Sequence, residues 1–310
     1  MQRTAQVPGS QSAGELELPR PVPFGERLRT FGRHNLPVLL LLSPLLVYII
    51  VVFAAPMMYQ IAFAFYERIL YKEILWLPKP AFQFGNFVEA FSNPKYRFSM
   101  VWTIGIAFFT TGVSIALALP VAYFLARAKV WGRSLIEISF LLPIFGEVFV
   151  IYALAYALGP EGPVNWVLMG LHLISKPLIF IGSKPFVIFW MSLPTLSVLL
   201  IRSAFSGVDV VYEEAAQAMG AGFLSTFFKV SIPLAKNGIM GAFLLGMSGA
   251  VGAYSLPLIM VGPYNDWLAN WINKEISPYF NYPLASALGL ILTVICLSIL
   301  YLYMRNQQEA

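Results

Sequence analysis

The sequence is 310 residues long, 58% hydrophobic and only 11% charged, with a mean hydropathy of +0.73. A soluble domain carries roughly a quarter charged residues, so a water-soluble globular protein is excluded and lipid is the expected solvent. The net charge of +5 is dispersed, which argues against nucleic-acid binding, and the lone Cys296 permits neither an intrachain disulfide nor a multi-cysteine metal site.

Met1 to about Pro23 is rich in Pro, Gln, Ser and Gly, and residues 1–35 are expected to form a disordered cytoplasmic tail. The apolar run from Leu36 past Phe65 is too long and starts too far into the chain for a secretory signal, so an uncleaved helix is expected. A bilayer core of about 30 Å needs about 20 apolar residues in a helix. Asp, Glu, Lys and Arg are absent between Arg33 and Glu67, Arg97 and Arg127, Lys184 and Arg202, Lys236 and Asp266, and Glu275 and Arg305; a sixth run, Ile138 to Pro160, contains only Glu147. These predict an all-α polytopic membrane protein with six transmembrane helices at 37–64, 98–126, 137–158, 185–205, 237–262 and 283–304. Gly162 to Ser175 is uncharged but too short to cross, and reads as interfacial or re-entrant.

Arg27, Arg29 and Arg33 precede the first span, Arg127, Lys129 and Arg133 fill the short second connection, and Arg305 follows the last span. The positive-inside rule puts these on the cytoplasmic face, with both termini, including a 305–310 tail. The opposing loops hold Lys72, Lys79, Lys95, Lys184 and Lys274 but also interfacial Trp76, Tyr96, Tyr264 and Trp267. Pro44, Pro56, Pro120, Pro143, Pro194 and Pro257 fall within spans, where neighbouring helices can re-satisfy the freed backbone. Gly241, Gly246, Gly249 and Gly252 are expected to let span five pack closely.

The loop 206–234, between spans four and five, is the most informative segment. Asp209 is placed to cap a helix whose first turns hold Glu213 and Glu214, Ala215, Ala216 and Ala218 are small helix formers, and Gly220 suits a left-handed terminus. A second short helix, Phe223 to Val230, precedes Pro233. An Ala-rich surface helix with two acids fits a groove on another protein. Helices that rest on lipid headgroups are usually Lys/Arg-rich, and here only Lys229 is basic between Arg202 and Lys236.

This loop resembles the hallmark of binding-protein-dependent permeases of type I ABC importers: Glu-Ala-Ala, three residues, Gly, nine residues, then Ile-x-Leu-Pro. Glu214-Ala215-Ala216, Gly220 and Val230-Ser231-Ile232-Pro233 match in register, with Val for Ile and Ile for Leu. The resemblance covers roughly residues 36–304, including Asn165 after Gly-Pro in the loop following span three. It implies an ABC importer transmembrane domain whose loop 206–234 is a cytoplasmic coupling helix pair seated in a cleft of an ATPase subunit. Glu214 would make polar contacts there, Ala215 and Ala216 would allow close approach, and Gly220 would set the bend; Glu213, Val230, Ile232 and Pro233 belong to the same candidate site. ATP and Mg would reside on that partner, since the sequence has no Gly-x4-Gly-Lys-Ser/Thr phosphate loop, and the chain itself is expected to bind no cofactor and to be no enzyme.

The subgroup most similar is the spermidine/putrescine-type permeases, on Gly252-Ala253-Tyr254-Ser255-Leu256-Pro257 and Pro283-Leu284-Ala285-Ser286-Ala287-Leu288-Gly289. Such permeases imply a second homologous permease subunit, two ATPase copies, an extracytoplasmic solute-binding protein and a bacterial inner-membrane location. Glu147, the one acid within a span, is a candidate counter-charge for a cationic solute, with Tyr156, Trp190 and Tyr254 as cation–π faces; it equally fits an outer-interface position or a partner contact. His34 and His172 are expected to be interfacial polar residues, and Glu161, Asp266 and Glu275 solvated loop charges that can meet the binding protein. An ion-coupled secondary transporter would show several intramembrane acids and an inverted repeat, and a membrane-embedded enzyme would show clustered His, Asp, Glu or Cys at span ends; neither pattern is present.

Overall fold

The computed structural model describes residues 41–67, 80–128, 132–263, 265–277 and 279–308. The predicted tail 1–35 and the basic residues Arg27, Arg29, Arg33 and Lys129 lie outside the described residues. By contact the chain divides into a unit ending at Met57 and a second from Met58 onward. In the first unit the described residues belong to helix α1 (Leu41–Ala64), which carries no charged residue.

The second unit is a helical assembly, and among the described residues no strand occurs. In chain order it contains α2 (Gly85–Ser92), α3 (Pro94–Arg127), α4 (Arg133–Phe145), α5 (Glu147–Ala157), α6 (Pro163–Gly170), α7 (Lys184–Met191), α8 (Leu196–Ser206) and α9 (Val210–Ala218). Then follow α10 (Phe223–Leu234), α11 (Lys236–Val251), α12 (Ser255–Val261), α13 (Leu268–Ile276) and α14 (Tyr282–Gln308). Among the described residues, four helices are long and apolar enough to cross a membrane: Leu41–Ala64, Pro94–Arg127, Lys184–Ser206 and Tyr282–Arg305. A fifth arises if α10 and α11, bent by 72°, form one span.

The apolar run 137–158 predicts one continuous crossing, but the helix breaks at Gly146 into α4 and α5. The run 237–262 breaks likewise, α11 ending at Val251 and α12 starting at Ser255. Hydropathy reports the solvent of the side chains and says nothing of whether the backbone ladder continues, which is why such breaks escape it. Pro257 falls in the first turn of α12, where its missing N–H leaves no helical bond unmade. The segment 162–175, expected to be interfacial or re-entrant, contains only the eight-residue α6, about 12 Å long and far short of a crossing. Fully buried Asn165 ties it down: its amide donates to the Gly159 (2.9 Å) and Leu178 (3.0 Å) carbonyls and its Oδ1 accepts from the Leu178 amide (2.8 Å).

Two prolines are absorbed by local widening of the helix. A proline lacks the N–H that would bond the carbonyl four residues back, and its ring crowds that carbonyl. In α1 a π-turn at Ile50–Ala54 precedes Pro56, and in α10 one at Phe227–Ser231 precedes Pro233; the closing amides, Ala55 and Ile232, donate five residues back.

The core of the second unit centres on α3, which packs against α8 and α11, with α11 in turn against α14. Ile115, Ala118, Ala122 and Leu125 of α3 meet Val198, Ile201 and Phe205 of α8 and Ala242 of α11. Close approach there depends on a glycine outside the predicted set. A Cβ on Gly238 would lie 2.3 Å from the Ala204 Cβ. Of the predicted glycines, Gly246 faces Thr111 of α3, whereas Gly249 has no neighbour within 4 Å of a built Cβ.

Candidate functional site

The loop 206–234 folds as α9, a turn and α10. Asp209 caps α9 by accepting a hydrogen bond from the Val211 amide (3.1 Å). At the other end Gly220 takes φ +89°, its amide donating to the Gln217 carbonyl (2.9 Å) while the Ala221 amide donates to the Ala216 carbonyl (3.0 Å). That pair of bonds is a Schellman motif, which satisfies two carbonyls the helix end would otherwise leave open. α10 then carries the chain to the 72° bend before α11.

Only one stripe of α9 is buried: Glu213, 4% exposed, and Ala216 one turn later. The Glu213 carboxylate gathers donors from two other elements. Tyr123 Oη donates to Oε2 (2.9 Å), Arg127 Nη2 to Oε1 (2.9 Å), Arg127 Nε to both oxygens (3.2 Å each), and Ser231 Oγ to Oε1 (2.8 Å). Arg127 Nη2 also donates to the Val208 carbonyl (2.9 Å), just ahead of the Asp209 cap. Burial alone would push the Glu213 carboxyl up, but the hydrogen bonds from Arg127, Ser231 and Tyr123 and the Arg127 charge prevail and hold it below the usual carboxylate range. Beside it lies a cavity of about 920 Å³ between α3, α9 and α10, walled by Leu119, Pro120, Phe124, Leu224 and Phe228.

Glu214, Ala215 and Gly220 are exposed. Tyr212, Ala215 and Met219 fall at helical spacings of three and four and form an uncovered apolar stripe beside Glu214, with Met219 84% exposed. Val230 and Ile232 are half-buried, Ile232 against the α3–α8 core, and Pro233 is exposed. The two adjacent acids thus have different positions: Glu213 is fixed inward and Glu214 is presented outward. The motif spacing marks Glu214 but not Tyr123, Arg127 or Ser231, because those partners come from segments as far as 90 residues away. An unpaired-looking Arg at a span end, followed along the chain by a doubled acid, is the one signal that points to them.

The four candidate pathway residues come from α5, α7 and the α11–α12 break. Glu147 sits exposed at the first turn of α5, at the Gly146 break rather than inside a continuous span. Tyr156 lies nine residues on, 2.5 turns at 3.6 residues per turn, and so faces the opposite side of α5. Trp190 is packed with Ile151 and Leu154 of α5, and the Tyr254 carbonyl accepts from the Leu258 amide (3.1 Å) in the α11–α12 break.

The expectation that Glu275 is a solvated loop charge is overturned. It is 4% exposed in α13, accepts from Tyr96 Oη of α3 (2.7 Å) and from Asn281 Nδ2 (3.1 Å), and is flanked by the buried Lys274, whose Nζ lies 3.8 Å from the Trp271 ring centre. Burial lowers the Lys274 pKa, with the Asp266 charge opposing and Lys95 adding to the effect. Asp266 is half-buried and ion-paired with Lys184, whereas Glu161 is exposed as expected. Among the described residues no group of three or more His, Cys, Asp or Glu side chains is placed to hold a metal.

Apolar helices of spanning length, joined by short helices, define an all-α polytopic membrane protein. Residues 109–308 match the family described as binding-protein-dependent transport system inner membrane component, and the chain belongs to that family, one of transport permeases rather than enzymes. It is a multi-pass inner-membrane permease subunit of an ABC importer. Similar proteins include the spermidine/putrescine transport system permease protein PotB of Escherichia coli strain K12, 27% identical over 231 residues covering 73% of this chain and 83% of that one. The molybdenum transport system permease protein ModB of Azotobacter vinelandii is 30% identical over 161 residues, 52% of this chain and 70% of that one. In fold, the chain resembles a crystal structure of a bacterial ABC transporter involved in the import of the acidic polysaccharide alginate, with a TM-score of 0.71, 17% identity, and coverage of 91% of this chain and 99% of that one.

Proposed function

We propose that this chain forms half of the solute pathway of its importer and couples closure of an ATPase pair to alternating access. In this reading α4–α5 make one crossing and α11–α12 another, giving six, with both termini and the loop 206–234 cytoplasmic. α9 and α10 are the coupling helix pair, and Glu214, Ala215, Tyr212 and Met219 meet a cleft of the ATPase, which carries ATP and Mg. The observation that carries this is the split on α9: Glu213 is anchored inward on Arg127 while the Glu214 side stays uncovered. A short helix held rigidly from behind and open in front suits docking into a partner's groove.

The remaining partners are a second homologous permease, a second ATPase copy, an extracytoplasmic solute-binding protein and membrane lipid. The resemblance to PotB supports a polyamine or related small solute, and the molybdenum and alginate relatives are the competing solute classes. Glu147, exposed at the end of α5, is proposed as a counter-charge completed by the second permease; Glu147→Gln should lower uptake with assembly retained, and unaltered uptake would remove it from the pathway. A tagged chain should co-purify with an ATPase, and Glu214→Lys should abolish that while leaving membrane insertion intact. Retention of the ATPase by Glu214→Lys would refute the assignment of α9.

A further inference from the structure

We infer that Tyr123, Arg127, Glu213 and Ser231 form a latch that makes α9, α10 and the end of α3 move as one body; this rests on the reading of α9 as the coupling helix. A nine-residue surface helix between two spans has a hinge at each end. Pushed from outside, it would tilt about those hinges and the displacement would be lost in the loop. Here the leading hinge is closed by Arg127, one nitrogen of which holds both the Val208 carbonyl and Glu213. The trailing side is closed by Ser231, which bonds the same carboxylate from the π-turn ahead of Pro233.

Tyr123 is the hub of the arrangement. Its hydroxyl reaches Glu213 on α9, and its ring meets edge-on Phe205 of α8 (5.4 Å) and Phe223 and Phe227 of α10 (5.8 and 5.0 Å between ring centres). Four helices therefore converge on one side chain. Bidentate Arg–carboxylate pairs fix orientation as well as distance, and the 5% and 17% side-chain exposure of Glu213 and Arg127 keeps water from substituting for the pair. A displacement of α9 must then be delivered to the last turns of α3, below Pro120, where the α3 ladder already lacks one bond. In this inference the four are positioning residues, which decide where a push on α9 goes.

The test measures the α9–α3 distance in the full chain assembled with its ATPase in lipid nanodiscs. Spin labels are placed at Phe124→Cys, in the turns of α3 beyond Pro120, and at Met219→Cys, both exposed, in a Cys296→Ala background. With Glu213 intact the distribution should stay single and narrow without nucleotide and with ATP trapped. With Glu213→Gln, which turns an amide N–H₂ toward the Arg127 donors, ATP should broaden it or add a second distance. A distribution in Glu213→Gln as narrow as the parent's in both states, or one that broadens with ATP in the parent itself, would overturn the latch. Should Glu213→Gln fail to assemble, the double variant Tyr123→Phe/Ser231→Ala keeps the ion pair and should give intermediate broadening, with an unchanged width counting against the latch. Cross-linking of Met219→Cys to the ATPase is read in parallel. Its absence defeats the coupling-helix reading, whereas its presence with an unbroadened Glu213→Gln defeats the latch alone.

Discussion

The two ends of α3 are anchored by the same device with different chemistry. Near its start Tyr96 donates to the buried Glu275; near its end Tyr123 donates to the buried Glu213. The rise between the two tyrosines is about 40 Å, close to the thickness of a bilayer with its headgroups. Glu213 adds the Arg127 fork, whereas the described hydrogen bonds to Glu275 come from the neutral Tyr96 hydroxyl and Asn281 amide. The proposed coupling role would place force on the Glu213 end, where a directional, charge-assisted clamp is of use; an end that only positions α13 against α3 is served by neutral donors.

The comparison can be broken by substitution. Glu213→Ala leaves Arg127 facing a vacated carboxylate site and should cost about 3–5 kcal/mol, seen as the largest drop in thermal midpoint of the nanodisc-held protein. Replacing both partners, Glu213→Leu with Arg127→Met, should recover much of it. Acid titration sharpens the same point. The depressed Glu213 pKa contributes stability that is fully present above the ordinary carboxylate value and is lost as the pH falls through the lowered one. Melting curves should therefore show no Glu213-dependent change from pH 8 down to about 5, the top of the usual carboxylate range. At the other end the slope has the same sign, stability rising with pH, but the window is alkaline. Lys274 has a lowered pKa, so the folded state gains stability as the pH rises through it toward the ordinary lysine value, and Lys274→Met should remove that gain.

Next in size are the tyrosines. A hydrogen bond to a charged group is worth about 1.5–3 kcal/mol, and Tyr96→Phe should cost more than Tyr123→Phe because Glu213 keeps Arg127 and Ser231 whereas Glu275 keeps Asn281. Equal losses in thermal midpoint would erase the distinction between the two ends. The smallest effects belong to a turn built twice. Gly220 ends α9 with a Schellman motif, and His172 ends α6 with the same bond pattern at φ 58°, the Leu173 amide donating to the Leu168 carbonyl (3.0 Å). A left-handed residue with a Cβ is strained by about 1–2 kcal/mol, so Gly220→Ala should destabilise and His172→Gly should stabilise, each measured by thermal midpoint.

Local signals were legible in the sequence and long-range ones were not. Asp209 as cap, Gly220 as terminus, the extent of α9 and the start of α10 follow from neighbours a few residues apart, whereas α10, read as ending at Val230, continues through Pro233 to Leu234. The long apolar runs locate α1, α3, α7–α8 and α14, since side-chain hydropathy alone decides them. The breaks at Gly146 and Gly252 are backbone events inside equally apolar runs. The inward turn of Glu213, rather than Glu214, depends on Arg127, which the sequence offers only as one more basic residue at a span end. Glu275 misled for the same reason: a charge in a loop reads as solvated until Tyr96, 179 residues away, is seen to reach it.

The central claim is that the uncovered face of α9 looks into the cytoplasm and is covered there by an ATPase. Labelling Met219→Cys, in the Cys296→Ala background, with a membrane-impermeant maleimide tests it directly. Inside-out vesicles stripped of peripheral subunits should label and become protected when the ATPase is added back, while right-side-out vesicles should not label. Labelling from the outer face would contradict the account.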